Sequence, residues 1–308
     1  MHAAPAVLVL LGPTATGKTA VAVELALRLG GEVISADSRA FFVGLDIVTD
    51  KPSVAERRGV PHHLIDCVPI DGEVDAMAFR ADVARLVPEI AARGRVPILA
   101  GGGTLYLAAV LRGIFEGPGK SDEFRRSLDD VASEELHRRL ALVDPTAAGA
   151  IHPRDRLRVV RALEVEAASG RPITDWKAEA VPLPFRFTTF GLERDRDDHR
   201  AAVEARARAM IDRGLVEEVA RLRASGLTPD RQAYRSVGVP EAWAYLDGAI
   251  TRDELLECIV RATWALVRRQ ASWFRAQPDV SWVRVTGRAA GDIADEMVAA
   301  WRGERGAS

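Results

Sequence analysis

The sequence predicts an α/β protein: a parallel sheet flanked by helices, interrupted by a mainly helical inserted domain. Three observations predict it. Short apolar runs alternate with helical stretches up to Ala100, the pattern of strands joined by crossover helices. A glycine-rich loop links the first run to the first helix. From about Pro118 to Pro184 the strand-like runs stop and only helical patterns remain.

Taken in order, Val7–Leu11 is a continuous apolar run ending at Gly12-Pro13, which reads as a buried strand. Ala20–Leu29 has helical composition and Gly30-Gly31 stops it, as a C-cap does. Glu32–Ser35 is the next strand, followed by Ala36-Asp37-Ser38. Asp75–Arg93 reads as a helix closed by Gly94, and Val96–Ala100 as a strand running into Gly101-Gly102-Gly103. In the insertion, Ser121–Leu142 and Arg154–Ser169 read as helices separated by Asp144-Pro145 and His152-Pro153. Arg186–Leu192 returns to strand, after which helices are expected over His199–Ser225, Val239–Leu246 and Thr251–Arg275. A strand at Val280–Val285 and a closing helix complete the chain. The domain boundaries that follow are 1–118 with 185–308 for the core and 119–184 for the insertion.

The chain has 308 residues, of which 48% are hydrophobic and 28% charged, enough for one large core with a smaller appendage. Its 42 basic and 44 acidic residues leave a formal charge of −2. That excludes a generally basic nucleic-acid coat but permits a local basic groove. Over residues 120–184 there are 11 basic and 12 acidic side chains, yet Arg154, Arg156, Arg158 and Arg161 are bunched. Cys67 and Cys258 offer neither a disulfide framework nor zinc-ligand spacing, so a reducing compartment is expected. The apolar Ala6–Leu11 has no basic leader or cleavage site and reads as a strand rather than a signal peptide. No apolar stretch approaches the roughly 20 residues of a membrane span. A cytoplasmic protein without membrane partners is the expectation.

Gly12-Pro13-Thr14-Ala15-Thr16-Gly17-Lys18-Thr19 matches G-x-x-x-x-G-K-[ST] without a gap, after a strand and before a helix. Such a P-loop turns backbone N–H groups inward around an anion and adds the positive end of a helix. Lys18 would bridge phosphoryl oxygens and the Thr19 hydroxyl would help hold Mg²⁺. The fold expected is therefore P-loop NTPase-like. A typical P-loop NTPase carries a second magnesium carboxylate at a neighbouring strand end, but Val96–Ala100 runs into glycines. Asp37 is the one acidic residue at a strand end near the loop. A single carboxylate beside a diphosphate cradle suits a general base better than a phosphoryl-transfer apparatus.

These motifs resemble, in order, the blocks of the tRNA dimethylallyltransferase (IPP transferase) family. Gly12–Thr19 is followed by Ser35-Ala36-Asp37-Ser38, Asp46-Ile47 with Lys51-Pro52, and Pro61-His62-His63-Leu64-Ile65-Asp66. Then come Gly101-Gly102 with Leu105-Tyr106, Arg161-Ala162-Leu163-Glu164, Gly214-Leu215 with Glu217-Glu218-Val219, and Arg269-Gln270 with Trp273. The resemblance implies transfer of a dimethylallyl group from dimethylallyl diphosphate to N6 of the adenine 3′ of the anticodon. The tRNAs are those reading codons that begin with U, and the target base leaves its stack to react. The P-loop then holds the donor's diphosphate rather than ATP, Asp37 is the general base, and Arg206 with Lys18, Thr19 and Mg²⁺ supports the leaving diphosphate. Arg208 is the alternative register for that arginine. Contacts to the anticodon stem-loop are implied for Asp37, Ser38, Arg39, Ala40, Gly103, Thr104, Arg125 and the run Leu157-Arg158-Val159-Val160-Arg161. Salt bridging to Asp155 or Glu164 is the competing task for those arginines. A structural or substrate-lining task is expected of His62 and His63, and a monomer is the default.

The chain departs from the family pattern at Ala40, Phe42 and Val43, at Gly103-Thr104, and at Val239-Pro240. These positions lie where the family touches the acceptor, so the donor chemistry is read more directly than the acceptor. An adenylate dimethylallyltransferase, a nucleotide kinase and a non-catalytic tRNA-binding relative stand as alternatives.

Overall fold

Among the described residues, six strands, all parallel, form a single sheet in the order β3-β2-β4-β1-β5-β6. They are β1 (Ala6–Leu11), β2 (Gly31–Ser35), β3 (His62–His63), β4 (Val96–Gly101), β5 (Arg186–Glu193) and β6 (Val280–Arg284). The computed structural model describes residues 4–306, with side chains to residue 303. Among them, no helix is long and apolar enough to cross a membrane.

β1 lies between β4 and β5, and Val7 to Leu11 are fully buried. A strand covered on both faces has no solvent side, which is why the run is apolar without alternation. The helices of the first part are α1 (Lys18–Leu29), α2 (Val54–Arg57), α3 (Ala76–Ala92) and α4 (Thr104–Leu111). α1 ends where Gly30 enters the left-handed region at φ 61°, a conformation glycine adopts without strain. The chain divides into two compact units, one of residues 1–109 with 184–308 and a second of 110–183.

The second unit holds α5 (Asp122–Ser127), α6 (Ser133–Val143), α7 (Pro145–Ala150), α8 (Arg156–Ser169) and α9 (Ile173–Ala178). Its core is formed by residues such as Leu136, Leu140, Val159, Ala162 and Ile173. The single helix expected over Ser121–Leu142 is two. The break at Leu128–Ala132 is held by Arg156, which donates to the carbonyls of Val131, Leu128 and Asp129. Glu164 is fully buried and accepts from Ser121 N–H at 2.8 Å, from Arg125 through two bonds of 2.9 Å and from Arg161 at 2.6 Å. Burial would push its carboxyl up, but these donors outweigh that and hold it at about 2.

A folded-state value below the unfolded one means stability that is present above the ordinary glutamate range. It is lost as pH falls through about 2. Glu164→Gln is expected to cost about 1–3 kcal/mol, because it leaves two half-buried guanidiniums on a neutral amide. Urea unfolding monitored by proteolysis within residues 110–183 measures it; an unchanged midpoint would dismiss the role.

The first unit closes with α10 (Arg196–Asp212), α11 (Leu215–Ala224), α12 (Val239–Leu246), α13 (Arg252–Arg275) and α14 (Ala290–Gly306). Here too the expected helix His199–Ser225 is two, because Gly214 stands at φ 97° and no right-handed helix passes through it. α10 to α13 pack around Phe42, Leu45 and Val48. Glu218 of α11, buried, accepts from the N–H groups of Asp46, Ile47 and Val48 at 3.1, 2.8 and 2.9 Å. That carboxylate shapes the loop leading to Thr49, Asp50 and Lys51.

Candidate active site

The carboxyl ends of the strands form one edge of the sheet, where ligands of open α/β folds bind. The loop after β1 is the P-loop, the turn after β2 carries Asp37, and Arg194 follows β5. Between β1 and β2 lies β4, which ends in Gly101-Gly102-Gly103. These glycines are demanded by close approach. A Cβ on Gly101 would come within 2.4 Å of the Ala36 carbonyl carbon, and one on Gly103 within 2.5 Å of the Ala36 oxygen. The ends of β2 and β4 are sewn together by Ala36 N–H to Ala100 O at 2.8 Å and Gly103 N–H to Ala36 O at 2.9 Å. A side-chain-free strand end thus lies between the P-loop and Asp37.

A cavity of about 590 Å³ opens at this edge. Thr14, Ala15, Gly17, Lys18 and Thr19 line it, with Asp37 and Ala40 from the turn after β2. Thr49, Asp50, Lys51 and Pro52 line it from the loop that Glu218 shapes, and Arg206 from α10. Arg206 faces inward, donating to Asp50 Oδ2 at 2.8 Å and to the Thr49 carbonyl at 3.3 Å. Asp50 also accepts from Arg213 at 2.8 Å. Arg208 is exposed and paired with Glu204 within its own helix.

Lys18 Nζ donates to the Pro13 carbonyl at 2.7 Å. Its pKa is lowered to about 8, first by burial and further by Arg206, against the opposing pull of Asp37. The lysine therefore feels the carboxylate and the arginine together. Asp37 Oδ1 accepts from Arg39 N–H at 3.0 Å, an Asx turn that sets the direction of the carboxylate while it lines the cavity.

Not every residue of the G-x-x-x-x-G-K-T run faces the anion space. Thr16 is buried and its hydroxyl donates to Pro13 O at 2.8 Å. Gly12 and Pro13 are buried behind the cavity, and Pro13 has no N–H to offer. Thr14, read from the motif as a diphosphate ligand, has its N–H engaged with Gln270 Oε1 at 2.9 Å. Its carbonyl accepts from His199 Nε2 at 2.7 Å. Thr14 lines the cavity with its N–H and its carbonyl both engaged, and Gly12, Pro13 and Thr16 lie outside the lining.

Around the acceptor-side turn, Arg39 donates to the Gln232 carbonyl at 2.8 Å, and Ser38 hydrogen-bonds the Tyr106 hydroxyl. Ala40 is nearly buried. In the second unit, Leu157 and Arg158 are exposed, with 72% and 73% of their side chains accessible. Val160 is half-buried. Val159 is fully buried, so the expected nucleic-acid contact does not extend to its side chain. Arg125 and Arg161 lie on Glu164; the salt-bridging alternative describes their guanidiniums. Helical spacing placed Arg158 and Arg161 near one another, but nothing local showed which would find a buried acid.

His62 lines the cavity and donates from Nδ1 to Val60 O at 2.9 Å. His63 instead pairs with Glu32 at 2.7 Å. Asp50 and Arg194 are cavity residues outside the motif blocks, and Lys51 is one that a block contains but to which no site task was assigned. Arg194 sits 3.2 Å from Asp198, yet its Nε and Asp198 Oδ2 are buried without a hydrogen-bond partner. No signal short of the assembled sheet marks it.

Among the described residues, no group of acidic, histidine or cysteine side chains forms a protein-only metal cage. The donor set fits Mg²⁺ of the kind held by one or two protein oxygens and substrate phosphates, with the exposed Thr19 hydroxyl beside the cradle.

A parallel sheet with a glycine-lysine-threonine loop at its carboxyl edge, and a carboxylate across the same cavity, defines a protein of the P-loop class. A family model described as IPP transferase matches residues 40–277, and the chain belongs to that family. It is 42% identical over 282 residues to tRNA dimethylallyltransferase 2 of Geotalea uraniireducens, covering 90% of this chain and 91% of that one. To the tRNA dimethylallyltransferase of Thermomicrobium roseum it is 43% identical over 285 residues, covering 91% and 86%. The solved full-length tRNA isopentenylpyrophosphate transferase of Bacillus halodurans is similar at 33% identity and a TM-score of 0.72, with 96% of each chain covered.

Proposed function

We propose that this protein transfers a dimethylallyl group from dimethylallyl diphosphate to N6 of the adenine 3′ of the anticodon in tRNAs reading codons that begin with U. The observation that carries the reading is that Asp37 and Lys18 face one cavity across the side-chain-free end of β4.

In the reaction the N6 lone pair attacks the allylic carbon, the carbon–oxygen bond breaks, and diphosphate leaves with the bonding pair. The N6 proton passes to the Asp37 carboxylate. Charge accumulating on the diphosphate is met by the inward N–H groups of the loop, by Lys18 and by Arg206, fixed dipoles and cations that need no reorganisation as the bond breaks. Mg²⁺ would be held by the Thr19 hydroxyl together with the diphosphate, and would supply additional charge neutralisation. The adenine is taken out of its stack to reach the cavity. Ser38, Arg39, Ala40, Gly103 and Thr104 adjoin that path, and the exposed Leu157 and Arg158 are the outward-facing contacts for the anticodon stem-loop. Phosphate contacts there would position the tRNA rather than read it.

Purified protein incubated with dimethylallyl diphosphate and Mg²⁺ is expected to prenylate unmodified tRNA and leave AMP untouched, by mass analysis of the nucleosides. Prenylated AMP beside unchanged tRNA would reverse the acceptor assignment. No product on either would favour a binding protein without chemistry.

A further inference from the structure

The third residue of the phosphate loop is held through both of its backbone polar groups by elements distant in sequence. Thr14 N–H donates to Gln270 Oε1 at 2.9 Å, and the Thr14 carbonyl accepts from His199 Nε2 at 2.7 Å. Gln270, in α13, is buried, and its Nε2 donates onward to the Gly102 carbonyl at 2.9 Å. The amide orientation is unambiguous, since its oxygen faces an N–H and its nitrogen a carbonyl. The same logic requires a hydrogen on Nε2 of His199, whose ring sits edge-on to Trp264 at 5.5 Å. The fit is close: a Cβ on Gly102 would come within 2.5 Å of Gln270 Nε2.

We infer that Gln270 is a positioning residue for the diphosphate, holding the phosphate loop in its anion-receiving shape by tying the Thr14 N–H to the end of β4. His199 holds the next peptide of the loop through the Thr14 carbonyl. The inference deepens the function proposed above and rests on the diphosphate being the loop's ligand. The physical argument is preorganisation. A glycine-rich loop emptied of such ties samples rotated peptide planes, and each misaligned plane is a donor that must be reoriented when the anion binds. With the two peptide planes that flank Thr14 both held, the backbone that leads into Ala15 to Thr19 keeps its shape.

The test compares Gln270→Met, which keeps the volume and removes both bonds, with Gln270→Glu. The latter keeps an acceptor for Thr14 N–H but sets oxygen against the Gly102 carbonyl. Inorganic pyrophosphate with Mg²⁺ is titrated by calorimetry, tRNA affinity is measured in parallel, and exchange of the Thr14 amide is followed by NMR. Gln270→Met is expected to weaken pyrophosphate by roughly 10–100-fold and to speed Thr14 exchange. Affinity for tRNA should stay within about twofold, a split that a merely structural residue would not produce. If Gln270→Met does not fold, Gln270→Glu carries the comparison, with a loss of at least roughly tenfold expected. Unchanged pyrophosphate affinity in a folded variant overturns the inference while leaving the proposed function intact. So does an equal loss for tRNA. Wild-type protein that fails to bind pyrophosphate overturns both.

Discussion

Replacing Asp37 with Asn is expected to lower kcat by roughly 10³-fold, within the range for loss of a general base, while pyrophosphate binding stays within about twofold of wild type. Asparagine has the same shape, and its Oδ1 can still accept from Arg39 N–H, the bond of 3.0 Å that sets the turn. What it cannot do is take a proton from N6. Because Asp37 pulls on Lys18 electrostatically, its neutralisation leaves the lysine's charge less supported but also removes a repulsion toward the diphosphate, and the two oppose each other. Single-turnover prenylation at saturating tRNA, with calorimetric titration of pyrophosphate, separates the two roles. Equal loss of chemistry and of binding would make Asp37 a structural residue. Retained chemistry would place the base elsewhere.

Lys18→Met should have the next largest effect, a fall in donor kcat/KM of about 10³-fold or more, since it removes the cation from a cradle aimed at the leaving group. The wild-type enzyme carries an independent signature of the same residue. Burial first, with Arg206 adding to it, brings Lys18 down to about 8, so it loses its proton in an accessible range. The protonated form binds the polyanion and the neutral form does not. Donor affinity is therefore expected to be level below pH 8 and to fall roughly tenfold per unit above it, until the pKa of the complex is reached. A bound diphosphate raises that pKa by its own charge. The Lys18→Met enzyme should show no such fall. A wild-type profile flat from pH 7 to 9.5 would show that Lys18 stays charged regardless of its surroundings.

Much of the fold was legible because its causes are local. Val7–Leu11 is apolar throughout, the P-loop spacing follows immediately, and Gly30 stops the helix at φ 61°. Of the errors one is local and the others are tertiary. The helix run across Gly214 ignored a glycine that the structure holds at φ 97°. The break after Ser127 depends on Arg156, which arrives from another helix. β3 was missed because His62-His63 has no strand pattern; it is a strand through its pairing with Val33 and Ile34 at the edge of β2. In the second unit, composition distinguished basic from acidic residues but not which arginines would find the buried Glu164.

For the active site the division is sharper. Neighbouring residues were enough to mark the glycine-rich loop, its lysine and threonine, and the carboxylate after the second strand as candidates, because loop geometry and charge at such short range depend on residue type and spacing alone. The meeting of these parts required the assembled sheet. Asp37 faces Lys18 because the strand order sets β4 between β2 and β1 and that strand ends in glycines. Arg206 turns inward because α10 packs beside the loop that Glu218 holds. Gln270 reaches Thr14 across 256 positions of chain. Contacts at such separation are chosen by which packing buries the apolar faces and pairs the buried polar groups together. No stretch of the chain contains that choice by itself.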